Sequence, residues 1–502
     1  MPISEQLELS QPATGSETAN ANVAVGSGQM KIAVLIPDGV GVRNFVLGRL
    51  LRLLPQATEA DVFHIVPDEL LPRASVGLNG QVHWHPLKPY RPNRFVLTLQ
   101  YSLSYAQMYW ADTVSMRRIR NAKVPGTWRI RTLHKMAKGI GRACSSPSRM
   151  KLLEGLHNFG VEKLPEFDWY TQQFKQCRPS VLFSSNQRPS VVVPAILAAR
   201  KLGIPTATFI FSWDNLTSKG RITAPFDHYL VWSQHMASEL RRYYPHVTDD
   251  RIHVVGTPQF EPYAEPRLLW SREQFFKRIG ADPARPLICY SGGDAGTCPE
   301  DAEHVRVLME LIRAGRIQGN PQVIVRPVPV DNGKRYEHVR QLFPELIYAQ
   351  PKWVHADPKD WAQVIPLPED VQFLANLTHH TDLNVNLGST MTLDFGLHDK
   401  PVVNIAFDVA NPPIFGMPVW DYYYFFEHYR PVVELGASRP ARSPEELASY
   451  VNAYLADPSL DREGRKKLAD MQVGVPLGDA SSLILQALRK IATTKPASQF
   501  KQ

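Results

Sequence analysis

The 502-residue chain contains only four cysteines, Cys144, Cys177, Cys289 and Cys298, scattered along its length. So few, so far apart, exclude a disulfide framework and a paired-cysteine zinc site. Long hydrophobic runs are also missing. Val191–Ala199, nine residues between Arg188 and Arg200, falls well short of the roughly 20 residues that cross a bilayer. The first 28 residues carry neither the basic start nor the apolar centre of a signal peptide. These absences lead us to expect a soluble or peripheral cytoplasmic protein.

An apolar fraction of 44% and a charged fraction of 21% are ordinary for a globular chain. Charge is distributed unevenly. Between Asp112 and Glu154 lie eleven Lys or Arg residues, from Arg117 to Lys151, and no acid. The net charge is +8, so the remainder of the chain sums to −3. Basic residues in this block alternate with Trp128, Ile130, Leu133, Met136 and Ile140. That pattern suits a water–lipid boundary, with a solvated helix face or an acidic glycan acceptor site as the other readings. Nucleic acid ranks last, because the block carries no recognised binding motif.

Residues 1–29 are rich in Ser, Ala, Asn, Gln and Gly without periodicity, which predicts a disordered tail. Order should begin at Lys31–Ile36, an apolar run suited to a strand buried on both faces. A helical pattern follows over 43–54. Further strand-like runs lie at 62–66, 82–85, 181–184, 206–211, 229–232 and 252–255, with helical stretches at 190–202 and 234–244. Strands alternating with helices predict βαβ units and a parallel sheet. The alternation restarts at Leu287 after a proline-bearing linker, 263–286. We therefore expect an α/β chain with two Rossmann-like parallel-sheet domains facing across a cleft. The first spans 30–265, with the basic insertion at about 112–154; the second spans 266–440; C-terminal helices occupy 441–502.

In open α/β sheets, ligands bind beyond the carboxyl ends of the strands. On the second sheet, Gly388-Ser389-Thr390 joins a strand to a helix running to Leu397. Such a helix start can hold a phosphate through its unpaired N–H groups and the Ser389, Thr390 and Thr392 hydroxyls, while Asp394 accepts from sugar hydroxyls. As an alternative, Ser389 only caps the helix. Ser291-Gly292-Gly293 and Arg326 should share that rim, the glycines admitting backbone close to a ligand and the arginine neutralising a diphosphate. His428 lies in an aromatic run and is placed beside the donor or in packing.

On the first sheet, the turn Pro37–Asn44 lacks the full Gly-x-Gly-x-x-Gly spacing and no acid closes the run at Val66, which disfavours a nicotinamide cofactor. Asp38 is then a general base facing the cleft, or merely a helix cap, with Arg43 and Asn44 positioning an acceptor. Phe211–Gly220, a polar and aromatic loop leaving a strand, offers Trp213 to a sugar face, Asn215 to an acceptor and Asp214 as a second base.

The two-sheet plan resembles the GT-B glycosyltransferase fold, which the hydrolysing UDP-N-acetylglucosamine 2-epimerases share. Ser212–Gly220, Phe426–Pro431 and Ala441–Glu446 resemble segments of bacterial UDP-glycosyltransferase/glycogen-phosphorylase-like proteins of surface-polysaccharide pathways. Gly388-Ser-Thr with Asp394 and Lys400-Pro401 is similar to the donor motif of CDP-glycerol glycerophosphotransferases. Two positions depart from these patterns: Arg326-Pro327 stands where His-Pro is common, and Asp394 where many such transferases carry Glu.

The resemblance implies transfer of a sugar from a nucleotide-activated donor to a glycan or lipid-linked acceptor. No cofactor and no metal are expected, in keeping with a sequence that has no Asp-x-Asp pair or compact His/Asp cluster. The alternatives are a nucleotide-sugar 2-epimerase and a non-catalytic nucleotide- or glycan-binding protein of the same fold.

Overall fold

The computed structural model describes residues 30–78, 81–355, 361–414 and 416–493. The tail expected at 1–29 lies outside them.

The first lobe is a seven-stranded parallel sheet: β1 Lys31–Ile36, β2 Glu59–His64, β3 Gln81–Pro86, β4 Val181–Ser184, β5 Thr206–Phe209, β6 His228–Val231 and β7 Ile252–Val254. Its strand order is β3-β2-β1-β4-β5-β6-β7. The second is a six-stranded parallel sheet of β8 Leu287–Ser291, β9 Gln322–Arg326, β10 Ile347–Tyr348, β13 Leu383–Asn386, β14 Val402–Ile405 and β15 Arg439–Ala441. Its order is β10-β9-β8-β13-β14-β15. A separate antiparallel hairpin pairs β11 Trp353–His355 with β12 Val364–Pro366.

Central strands are buried on both faces, as their continuous apolar runs require: β4 and β8 are buried at every residue. In both sheets the order reverses beside the first strand, between β1 and β4 and between β8 and β13. Each lobe therefore opens a crevice at that point.

Three expectations change. The helix foreseen over 43–54 is replaced by a π turn at Val42–Val46 and a short 3₁₀ turn at Leu51–Leu53. Leu47 N–H reaches Val42 C=O rather than continuing an α ladder, and Gly48 sits so close to Asn44 C=O that a side chain there would collide. The linker expected at 263–286 contains a capped helix, Arg272–Ile279, whose Phe275 and Phe276 pack with Leu287, Cys289 and Ile324 of the second lobe. Lastly, the insertion between β3 and β4 is larger than its basic part, running as five helices from Arg94 to Cys177.

The last helix among the described residues, Ala480–Ala492, returns to the first lobe. Glu261 accepts hydrogen bonds from Ser481 N–H at 2.7 Å and Ser481 Oγ at 2.6 Å. Among the described residues, no helix is long and apolar enough to cross a membrane.

Candidate functional site: the pocket between the lobes

A pocket of about 260 Å³ lies between the carboxyl edges of the two sheets. Arg43 and Ser212 reach it from the first lobe; Ser291, Arg326, Ser389, Thr390 and Asp394 reach it from the second.

Gly388, two residues past β13, lies in the left-handed region at φ +54° and so turns the chain toward the pocket. The helix that follows is only six residues long, Met391–Gly396, shorter than the sequence pattern suggests. Its start is partly spent locally. Ser389 N–H donates to Asn386 Oδ1 at 2.9 Å, and Met391 N–H to Ser389 Oγ at 3.3 Å. Thr392 turns inward, its hydroxyl 2.9 Å from Tyr429 Oη.

The two glycines after β8 serve the protein itself. Gly292 N–H donates to Arg326 C=O at 2.9 Å, and Gly293 N–H to Asp301 Oδ2 at 2.7 Å. A side chain on Gly292 would strike Tyr336 Oη, and one on Gly293 would strike Cys298 Sγ. Close packing therefore explains both residues. Their N–H groups are not offered to a ligand, and only Gly292 lines the pocket.

Arg326 is neutralised. Asp370, also buried, takes its guanidinium at 2.7 Å. Arg43 differs: among the described residues it has no ion pair, and its Nε donates to Asn44 Oδ1 at 2.9 Å. Burial lowers its pKa, opposed mainly by Asp394. A desolvated cation without a paired acid favours an anion. Asn44 is buried and holds Arg43 in place rather than touching the pocket.

Asp394 is buried, with Tyr263 Oη donating to its Oδ1. Burial pushes its carboxyl up to about 6, opposed by Tyr263 and then Arg43.

Neither expected base faces the pocket. Asp38 is completely buried: it caps the turn at Gly41 N–H, 2.8 Å away, and accepts from Asn186 Nδ2 at 2.8 Å. Burial raises its pKa. For Asp214, burial would raise the pKa, yet Lys219, His428 and Ser218 together hold the carboxylate well below the usual range. A carboxylate so firmly ionised is a weak proton acceptor. Trp213, 3% exposed, packs edge-on against His428 and Tyr429 with ring centroids 5.5 and 5.8 Å away. Trp213 and His428 therefore meet each other across the lobes. Asn215 is buried between Gln187 and Asp214.

No family model matches the chain, and no curated protein matches it. Solved structures do. The chain is similar to a UDP-N-acetylglucosamine 2-epimerase with a TM-score of 0.52 at 11% identity, over 95% of this chain and 100% of that one. A putative UDP-N-acetylglucosamine 2-epimerase from Listeria monocytogenes gives 0.51 at 9% identity, over 94% and 99%. The S. aureus MnaA–UDP structure gives 0.50 at 11%, over 93% and 99%. The chain has the GT-B fold.

Within this GT-B chain, sequence reasoning missed Asp370, Trp353 and Tyr263. Asp370 follows Pro368-Glu369 at a helix start, where acids are unremarkable. Tyr263 lay in what read as linker. No local pattern marks Asp370 as lining the pocket, or Tyr263 as the partner of Asp394.

Proposed function

We propose that the protein is a glycosyltransferase that moves a sugar from a nucleotide-activated donor to a glycan or lipid-linked acceptor in surface-polysaccharide synthesis. The observation carrying this reading is the pocket between the two carboxyl edges, whose lining includes Arg43, Ser389 and Thr390. The leaving diphosphate sits between them, and the unpaired guanidinium takes the charge that Arg326, already bound to Asp370, does not. Asp394 replaces Asp38 and Asp214 as the proton acceptor for the incoming hydroxyl. With Arg43 stabilising the leaving group, the reaction proceeds without a metal.

The basic insertion fits a peripheral position on an anionic membrane. On helix Trp128–Ala143, Trp128, Arg131, Lys135 and Arg142 form the stripe opposite buried Ala137 and Gly141. On helix Pro147–Val161, Leu152, Leu156 and Phe159 stand exposed at i, i+4 and i+7. Arg118 and Arg120 are engaged within the protein, Arg118 with Asp421 C=O at 2.9 Å and Arg120 with Asp112 at 2.7 Å.

A 2-epimerase acting on the nucleotide sugar alone is the second reading, favoured by the names of the solved structures above. Titration with UDP, GDP, CMP and CDP compounds tests the shared donor site, and product analysis with and without acceptor separates the two reactions. No nucleotide binding by folded protein overturns both.

A further inference from the structure

A second cavity, of about 410 Å³, lies within the first lobe under the helical insertion. Helices Arg94–Ala111 and Pro147–Val161 form one side, and the segments after β4 and β5 form the other. The loop after β5 walls both cavities: Ser212 faces the interlobe pocket, while Asn215 and Lys219 face this one. Gly220 pins that loop to the insertion, since any side chain there would collide with Ser104.

Three polar atoms of lining residues are buried with no hydrogen-bond partner among the described residues: Gln100 Oε1, His157 Nε2 and Arg221 Nε. Proteins seldom leave buried polar groups in that state, because each forfeits its hydration. His157 is the most confined, at 1% exposure. Its Nδ1 lies 3.3 Å from Asn158 Oδ1, and burial lowers its pKa. A neutral ring that donates from Nδ1 leaves Nε2 as a bare acceptor. Gln100 Oε1 is an acceptor too. Both therefore call for a hydrogen-bond donor, which a sugar hydroxyl supplies.

The charges call for something else. Lys219 lies 3.4 Å from Asp214, and Arg221 lies 2.8 Å from Glu154. Half-buried Arg188 has neither an ion pair nor a side-chain hydrogen bond among the described residues; Asp214 and Asp38 act on it only through space. Two bare acceptors and an unpaired cation in the lining of one cavity match a ligand that carries hydroxyls and a negative charge on one small frame.

We propose that this cavity binds an anionic sugar, either a uronic acid or a sugar phosphate. Taking that sugar as the terminal unit of the acceptor rests on the transfer reading above; the binding itself does not. Saturation-transfer NMR of the full chain, without nucleotide, compares glucuronate, glucose 6-phosphate and glucose. At least one anionic sugar is expected to give a signal several-fold above glucose, and which one identifies carboxylate or phosphate as the recognised group. Arg188→Ala reduces that signal at least threefold. Gln100→Leu reduces it too while leaving the melting temperature unchanged or higher, because it removes an acceptor that nothing in the protein satisfies. Anionic signals no greater than glucose, or unchanged in both variants, overturn the proposal. UDP titration of the same sample reports on the interlobe pocket separately, so failure at one site is not mistaken for failure at the other.

Discussion

Arg326 Nη2 lies 2.7 Å from Asp370 Oδ2, and that carboxylate also accepts from Trp353 Nε1 at 2.7 Å and from Lys352 N–H at 2.8 Å. A cation held this way positions the pocket wall instead of waiting for a phosphate. Asp370→Ala should strand the buried guanidinium and cost about 3–5 kcal/mol in urea unfolding. Replacing both partners, Arg326→Met with Asp370→Leu, should recover much of that loss. Equal destabilisation by single and double variants would show that the pair is not coupled.

Arg43 is expected to carry the diphosphate. Arg43→Ala should weaken UDP binding at least tenfold in calorimetric titration, with little change in melting temperature. Affinity equal to that of the parent protein would remove Arg43 from the donor site.

Asp394 links activity to pH. Its folded pKa, about 6, lies above the ordinary value of 3.8, so the folded chain binds the proton more tightly. Its contribution to stability is therefore complete below about pH 4 and is lost as pH rises through 6. Asp394→Asn should flatten this loss, a difference of about 2–3 kcal/mol at neutral pH. If Asp394 takes the acceptor proton, turnover rises through pH 6 and falls about 100-fold or more in Asp394→Asn.

Gly388 tests the turn into the donor edge. At φ +54°, Gly388→Ala should cost about 1–2 kcal/mol through backbone strain alone. No clash contributes, because the nearest heavy atom to the new Cβ is Tyr423 Cβ at 3.9 Å. Gly388→Asn should cost less, since Asn tolerates that conformation better. Chemical denaturation of the three proteins gives the ranking.

The insertion face should bind vesicles containing phosphatidylserine at low salt and release them as salt rises. Neutral replacements at Arg131, Lys135 and Arg142 should abolish cosedimentation. Binding that survives them would place the contact elsewhere.

The buried framework was legible because burial on both faces forces continuous apolar runs. β1 and β4 begin and end where those runs do, and Pro444–Ala456 and Arg462–Gln472 follow helical periodicity bounded by Ser443 and Asp461. Edge strands such as β10 and β15, two and three residues long, left no such mark. Among polar positions the sequence was much less informative. A carboxylate after a strand reads the same whether it caps a turn, as Asp38 does, or lines a pocket, as Asp394 does.

By itself, the sequence determined the alternation of strands and helices, the two sheets and the single basic block, because each rests on local periodicity or composition. Only the tertiary structure decided which charges are free. Arg326 and Arg43 look alike along the chain, yet Asp370, 44 residues from Arg326, neutralises one, while the other has no ion pair among the described residues. Pairing of buried charges depends on distance in space, and one-dimensional order carries no record of it.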